Sequence, residues 1–182
     1  DLATDFLKKY NVVPFPAGST GCQMGGWYRK EIKELADLNG LKFRVGGFAG
    51  RILTKVGVVP QQIAAGEIYP ALERGTLDAA EWVGPYDDEK LGFYKVAKFY
   101  YYPAWWEGAS MLHNLVNIAK FNELPKHYQA ALRVASAMQN EWLTSKYDQV
   151  NPAALKRLVA GGAQLRPFPQ AVMEACYNAA NE

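Results

Sequence analysis

The sequence predicts an α/β fold, and three observations support this prediction. Short apolar or β-branched runs alternate with helical segments between residues 41 and 82, the connections are only a few residues long, and glycine or proline marks the segment ends. A strand–helix–strand–helix–strand order with short connections is typical of a layer built from right-handed crossovers. The 182 residues are enough for one domain or for two small lobes with a buried core.

The first half of the chain supplies most of this alternating pattern. A helix-like start leads into a β-branched run that Pro, Gly and Ser close, and a later run alternates apolar and charged residues before two glycines. Residues 27–35 fit either a helix or a strand that turns into a short helix. The remaining predicted elements are a helix at 1–10, strands at 11–19, 41–47, 58–60 and 76–82, and helices at 49–57 and 63–75.

The second half is richer in helix. Pro85 and the acids after it predict a helix over 85–99, because proline and acidic side chains favour a first turn. Two strands are predicted within 99–118, and the longest helix begins near Pro125. Asn151-Pro152 predicts the cap and first turn of a new helix that ends at Gly161-Gly162. A last strand at 163–169 leads into a final helix.

The composition argues against several classes of protein. The net charge is only +2 and the basic residues are spread along the chain, so no nucleic-acid partner is indicated. The apolar runs are shorter than a bilayer span. Two cysteines do not make a disulfide framework. His113 and His127 have no ligands at metal spacing, and the acidic run 86–89 is better interpreted as a helix start than as a cation loop.

Arg44 is a candidate anion-binding residue. It lies in a predicted strand that ends at Gly46-Gly47, on the edge where α/β folds present their ligands. A guanidinium at that edge can hold a carboxylate through two parallel hydrogen bonds. An exposed strand arginine without a ligand is an equally good interpretation of the pattern alone.

Two glutamates stand in the most aromatic stretches of the chain. Glu81 precedes Trp82 at the end of a predicted strand, and Glu107 follows Trp105-Trp106. A carboxylate among indole rings is costly unless it is paired or binds a cation. Both could therefore serve one hard cation, which prefers oxygen ligands. Separate pairing with Lys or Arg, or a hydrolase that uses the Glu81/Glu107 pair, are the alternatives.

The blocks "CQMGGW", "LKFRVGGFAGR", "LDAAEWVGPYDDEKLG" and "PAWWEG" resemble the solute-binding subunit of tripartite ATP-independent periplasmic (TRAP) transporters. The likeness runs over nearly the whole chain and is closest to the branch that binds 2-oxoacids such as pyruvate. It implies a periplasmic-binding-protein-like (type II) two-lobed α/β fold and a binding protein, not an enzyme.

The resemblance also implies the site. Arg44 would clamp the carboxylate of a small 2-oxo or 2-hydroxy monocarboxylate. Gln23, Glu81, Trp82 (through its main-chain carbonyl) and Glu107 would surround a sodium ion, with calcium as the alternative, and Gln23, Trp82 and Glu107 would also adjoin the ligand. The implied partners are the membrane permease subunits and a second copy of the full-length protein, and the implied location is the periplasm.

Such receptors are longer than this chain, so we expect an internal or C-terminal piece. The resemblance assigns 1–17 to a hinge or crossing segment, 18–109 and 150–182 to the ligand-binding lobe, and 110–149 to a return segment of the other, mostly absent lobe. A piece of this kind could also be a structural fragment that binds no ligand by itself.

Overall fold

The computed structural model describes residues 2–182, which form two compact units. The first comprises the described residues up to Gly21 together with Ala109–Gln149, and the second comprises Cys22–Gly108 and Val150–Glu182. The helices are α1 (Leu2–Leu7), α2 (Gly47–Lys55), α3 (Ala65–Arg74), α4 (Pro85–Leu91), α5 (Ile118–Glu123), α6 (Lys126–Ala160) and α7 (Gln170–Asn181). The strands are β1 (Val12–Ser19), β2 (Gly26–Tyr28), β3 (Lys42–Arg44), β4 (Val59–Gln61), β5 (Ala79–Ala80), β6 (Phe99–Tyr102), β7 (Met111–Asn117) and β8 (Gln164–Pro167). The predicted α/β class is thus confirmed. The assignment of the units to lobes of a binding protein stays a prediction.

The first unit contains a two-stranded antiparallel sheet. β1 pairs with β7 from Val12 opposite Asn117 to Ser19 opposite Met111, with an irregularity between Pro16 and Gly18. Phe15 of β1 packs against Phe121 of α5 with ring centroids 5.2 Å apart. This aromatic pair forms the centre of a small core.

The second unit contains a mixed six-stranded sheet in the order β4-β3-β5-β2-β6-β8. β3 is parallel to β4 and β5, whereas β2 runs antiparallel to β5 and β6. The carboxyl ends of β3 and β5 therefore lie at the same edge of the sheet. This edge carries the candidate site.

Each face of this sheet has its own core, because successive strand residues point to opposite sides. Trp27 and Tyr100 enter one core with residues of α3 and the end of α6, and their rings stack with centroids 3.9 Å apart. Tyr28 and Tyr101 enter the other core, with residues of α2 and α7. The abundance of aromatic residues thus serves packing on both faces.

Two sequence-based helix predictions are wrong in their bounds. The helix predicted over 85–99 ends at Leu91, because Gly92 adopts the left-handed conformation (φ 73°) and a 3₁₀ turn at Phe93–Lys95 leads into β6. No new helix begins at Asn151, since α6 continues through Pro152. The side chain of Asn151 accepts a hydrogen bond from the backbone N–H of Tyr86 (3.1 Å) and so supports the start of α4.

The segment 27–35 follows the second of its two interpretations. β2 ends at Tyr28 and a 3₁₀ helix follows at Leu35–Leu38. Within residues 2–182, none of the helices combines the length and the apolar character that a bilayer span requires.

Candidate functional site

A cavity of about 390 Å³ opens at the carboxyl ends of β3 and β5 in the second unit. This is the edge where α/β folds place their ligands. Its lining comes from the end of β3 and the start of α2, from the residues that follow β5, and from the loop after β6. The lining residues are Arg44, Val45, Gly46, Gly47, Phe48, Ala49, Glu81, Trp82, Trp106 and Glu107.

Arg44 ends β3 and points its guanidinium into this cavity. Its Nη1 donates a hydrogen bond of 2.7 Å to the main-chain carbonyl of Glu81 and lies 3.6 Å from Glu81 Oε2. The guanidinium carbon lies 4.9 Å from the centre of the Trp82 ring, a distance at which a cation–π attraction operates. Arg44 is thus held by the segment that follows β5.

Glu81 is a buried carboxyl group with only 6% of its surface exposed. Burial raises its pKa to about 8; the Arg44 guanidinium opposes this shift, whereas Glu107 and Asp88 add to it. The loss of hydration therefore exceeds the benefit of the arginine. A second positive charge in the cavity would make the ionised form of Glu81 favourable.

Gln23 and Glu107 are linked to each other. Gln23 Nε2 donates a hydrogen bond of 3.3 Å to Glu107 Oε1, and Gln23 is buried. The residue after Gln23 is tied to the Glu81 segment, because the Met24 N–H donates to the Val83 carbonyl at 3.0 Å. The two segments that carry Gln23 and Glu81 are therefore joined by a main-chain hydrogen bond.

Gly46 and Gly47, the N-cap and the first residue of α2, form part of the cavity wall. Gly47 begins the helix with φ +60°, a conformation that other residues rarely adopt. The backbone of the first turn of α2 can thereby line the cavity beside Arg44. Helix N-termini favour negatively charged groups, so this wall adds to the attraction of Arg44 for an anion.

The structure brings all five predicted site residues together. Arg44, Glu81, Trp82 and Glu107 line one cavity, and Gln23 is hydrogen-bonded to Glu107. Their roles as ligands stay predictions. The alternative of separate pairing is realised in part, since Arg44 lies 3.6 Å from Glu81, while Glu107 lines the same cavity.

The donor atoms at this cavity fit a hard cation. They are carboxylate, amide and main-chain oxygens, and such oxygens are the ligands that sodium and calcium accept. In the part of the chain that the structure describes, no group of three or more His, Cys, Asp or Glu residues could hold a metal. A cation here would therefore depend on neutral oxygens as well as on two carboxylates.

Three further residues lie around the site, and of these the sequence alone indicated only Trp106, as an aromatic neighbour of Glu107. Phe48 and Trp106 line the cavity, and Asp88 is buried nearby and bonded to Val83, although its acidic run suggested only a helix start. The adjacent acids Asp87 and Asp88 give no local signal of which carboxylate turns inward, because the seven residues of α4 are too few to define an apolar face.

The arrangement defines an α/β protein with a small cavity at its strand ends, lined by one arginine and two carboxyl groups. The comparison with known sequences then identifies the family: the chain belongs to the bacterial extracellular solute-binding proteins, family 7, whose sequence model matches residues 1–182. Membership in a family of binding proteins supports the predicted binding role over the hydrolase alternative. It also confirms the resemblance on which the site prediction rests.

Three relatives show how close this likeness is. The chain is 54% identical over 166 residues to a monocarboxylate 2-oxoacid-binding periplasmic protein of Nostoc sp., which covers 91% of this chain and 46% of the relative. The second relative is a TRAP transporter solute-binding protein from Bordetella bronchiseptica, described as a mixed-occupancy dimer with copurified calcium and picolinate. Its structure has 55% sequence identity to this chain and a TM-score of 0.93, and the match covers 98% of this chain and 53% of the other. A relative from Pseudoalteromonas atlantica with bound sodium and pyruvate has 42% identity and a TM-score of 0.92, over 99% and 55%.

The chain thus spans about half the length of the relatives that it matches. The fold of the matched half is that of TRAP solute-binding proteins. Ligand, cation and partners are named for those relatives, and for this chain they are matters of proposal.

Proposed function

We propose that this chain is the ligand-binding part of a periplasmic TRAP solute receptor that captures a small 2-oxo or 2-hydroxy monocarboxylate together with a hard cation. The observation that carries the proposal is the buried carboxyl group of Glu81 beside Arg44, at a small cavity that Glu107 also lines. The similarity to relatives described with 2-oxoacids supports the ligand class.

Arg44 is the proposed clamp for the carboxylate of the ligand. One of its nitrogens is occupied by the Glu81 carbonyl, and this bond orients the planar fork. A fork that is already oriented loses less entropy when it binds a carboxylate. The first turn of α2, next to Arg44, would add backbone donors for the same anion.

Gln23, Glu81, the Trp82 carbonyl and Glu107 are the proposed cation ligands, and Gln23, Trp82 and Glu107 also adjoin the bound acid. The ligand would bring a third carboxylate to a cavity that contains Glu81, Glu107 and only one arginine. When bound, the cation would supply the positive charge that keeps these carboxylates ionised. Sodium is the proposed ion and calcium the alternative, since relatives are described with each.

The partners follow from the family. A TRAP solute-binding protein delivers its ligand to membrane permease subunits, so we propose these as the partners of the full-length protein. We also propose a homodimer, for which the dimeric Bordetella bronchiseptica relative is the support.

Calorimetric titration of the full-length protein with pyruvate tests the proposal. We expect binding in sodium or calcium buffer and a loss of at least about tenfold after chelation in sodium-free buffer. Glu107→Gln should reproduce this loss in the presence of the cation, whereas Glu174→Gln, an exposed residue of α7 outside the cavity, should not. Equal pyruvate affinity with and without cations would remove the cation from the proposal, and conversion of the recovered ligand, seen by mass spectrometry, would favour the hydrolase alternative.

A further inference from the structure

Asp88 is a buried carboxyl group that lines no part of the cavity. It lies in α4 with 1% of its surface exposed. Its Oδ2 accepts hydrogen bonds from Trp27 Nε1 (3.0 Å) and from the Tyr100 hydroxyl (2.7 Å), and its Oδ1 accepts one from the main-chain N–H of Val83 (3.2 Å). The bond to Val83 is the one that reaches toward the candidate site.

The peptide bond between Trp82 and Val83 links Asp88 to that site. The Val83 N–H and the Trp82 carbonyl belong to the same planar trans peptide, so they point in opposite directions. A side chain that fixes the direction of the N–H therefore also fixes the direction of the carbonyl. The Trp82 carbonyl is one of the proposed cation ligands.

The segment that carries this peptide has no regular secondary structure to hold it. Residues 81–84 lie between β5 and α4. The Glu81 N–H donates to the Arg44 carbonyl (3.1 Å), and the Val83 carbonyl accepts from the Met24 N–H (3.0 Å). Asp88 completes this set by holding the Val83 N–H from the side of α4.

A carboxylate suits this place better than an amide of the same shape. The Trp27 and Val83 N–H groups can only donate, and a carboxylate accepts from both of them and from Tyr100. An asparagine has one acceptor oxygen, so its NH₂ group would face a donor at one end. Either the hydrogen bond from Trp27 of β2 or the hydrogen bond from the Val83 N–H would then be lost.

We infer that Asp88 is a positioning residue for the proposed cation site: it holds the Trp82–Val83 peptide so that the Trp82 carbonyl faces the cation. This inference rests on the proposed function. Asp88 itself does not touch the cation or the ligand. Loss of a residue that orients a metal ligand typically weakens metal affinity by about 10- to 100-fold.

The test measures calcium affinity by calorimetry in saturating pyruvate, with thermal melts of the same full-length proteins. Asp88→Asn should bind calcium at least about tenfold more weakly than the wild type. Tyr100→Phe removes one hydrogen bond from the same carboxylate but leaves the Val83 bond, so its melting temperature should fall while its affinity stays within about threefold. Asp87→Asn, which removes a neighbouring charge, should leave calcium affinity unchanged.

The outcomes separate positioning from a merely structural role. Unchanged calcium affinity in Asp88→Asn, or equal losses in Asp88→Asn and Tyr100→Phe, would overturn the positioning role alone. If Asp88→Asn does not fold, hydrogen exchange of the Val83 amide in the cation-free wild type tests whether this N–H is held in place. Slow exchange supports the role, and exchange as fast as that of an open loop overturns it. A wild type that binds neither calcium nor sodium overturns the proposed function and the positioning role with it.

Discussion

At the scale of single residues, Arg44 offers the most direct test of the ligand class. Arg44→Lys in the full-length protein should weaken pyruvate binding by more than about tenfold, or at least about 1.4 kcal/mol. Lysine would provide one ammonium group in place of a planar fork, and it would lose the hydrogen bond to the Glu81 carbonyl and the contact with the Trp82 ring. Calorimetric titration measures the loss.

Arg51→Lys is the matched control for Arg44→Lys. Arg51 is exposed in α2 and does not line the cavity, so its replacement should leave affinity unchanged. Thermal melts should show that Arg44→Lys costs only about 1 to 2 kcal/mol of stability, because one hydrogen bond and one cation–π contact are lost while the positive charge remains. Equal affinities for the wild type and Arg44→Lys would exclude the arginine clamp.

Glu81 predicts a pH dependence of stability in the absence of cations. Burial raises the pKa of Glu81 from 4.5 to about 8, so the folded state keeps a proton that the unfolded state has released. The free energy of unfolding therefore falls as the pH rises from about 4.5 to 8, and it levels off above the folded-state pKa. Burial raises the pKa of Asp88 to about 6, with the same sign, so only the range above pH 6.5 isolates Glu81.

Chemical denaturation at pH 6.5 and pH 8 measures this effect. The cation-free wild type should lose up to about 2 kcal/mol between the two values. The Glu81→Gln variant has no carboxyl group to ionise at this position, so its free energy of unfolding should fall clearly less between the two pH values. Calcium should reduce the change of the free energy of unfolding with pH in the wild type only. A wild type that becomes more stable toward pH 8 would show that Glu81 is ionised without a cation.

At the scale of elements, the sequence predicts the order of strands and helices but not all of their ends. The strand at 41–47 and the helix at 63–75 are recovered because alternation and a C-terminal glycine are local signals. Asn151-Pro152 misleads because the same two residues are compatible with a helix start and with a helix interior. The side chain of Asn151 instead accepts a hydrogen bond from the Tyr86 N–H of α4, a tertiary contact that no local pattern encodes.

The residues of the candidate site also differ in how far the sequence alone indicates them. Arg44 stands out as a charged residue at the end of a strand, and Glu81 and Glu107 stand out as carboxylates in aromatic stretches. The resemblance to a family adds Gln23 and the Trp82 carbonyl. The sequence could not show that Glu81 and Glu107, 26 positions apart in the printed sequence, would line one cavity. Nor could it show that Asp88 turns inward to Trp27, Tyr100 and Val83.

Asn151 gives a prediction at this scale. Asn151→Ala should lower the free energy of unfolding by about 1 kcal/mol, because the Tyr86 N–H in the first turn of α4 loses its side-chain acceptor. Asn178→Ala, at an exposed position in the last turn of α7, is the control and should be neutral or slightly stabilising. Urea denaturation of the wild type and both variants measures these free energies of unfolding. If Asn151→Ala were as stable as the wild type, Asn151 would have no capping role.

At the scale of the whole molecule, the two units differ in how completely each is built. The second unit has a six-stranded sheet with a core on each face, and it contains every proposed site residue. The first unit has only a two-stranded sheet, and a sheet of that size is marginally stable unless something packs against it. The relatives that the chain matches are about twice as long as these 182 residues.

The first unit therefore predicts self-association of the 182-residue chain. Met111 and Leu115 of β7 and Val134, Met138 and Trp142 of α6 are all more than half exposed. Apolar side chains in such number on one small unit favour association, because burial between copies removes them from water.

Sedimentation velocity over a range of concentrations should show dimers or larger species. Met138→Ser should shift the distribution toward monomer, whereas Gln139→Ser, its exposed polar neighbour in α6, should not. A monomeric chain that unfolds in one cooperative transition would mean that the first unit is stable with this surface in water, and that the missing half of the relatives is not needed to cover it.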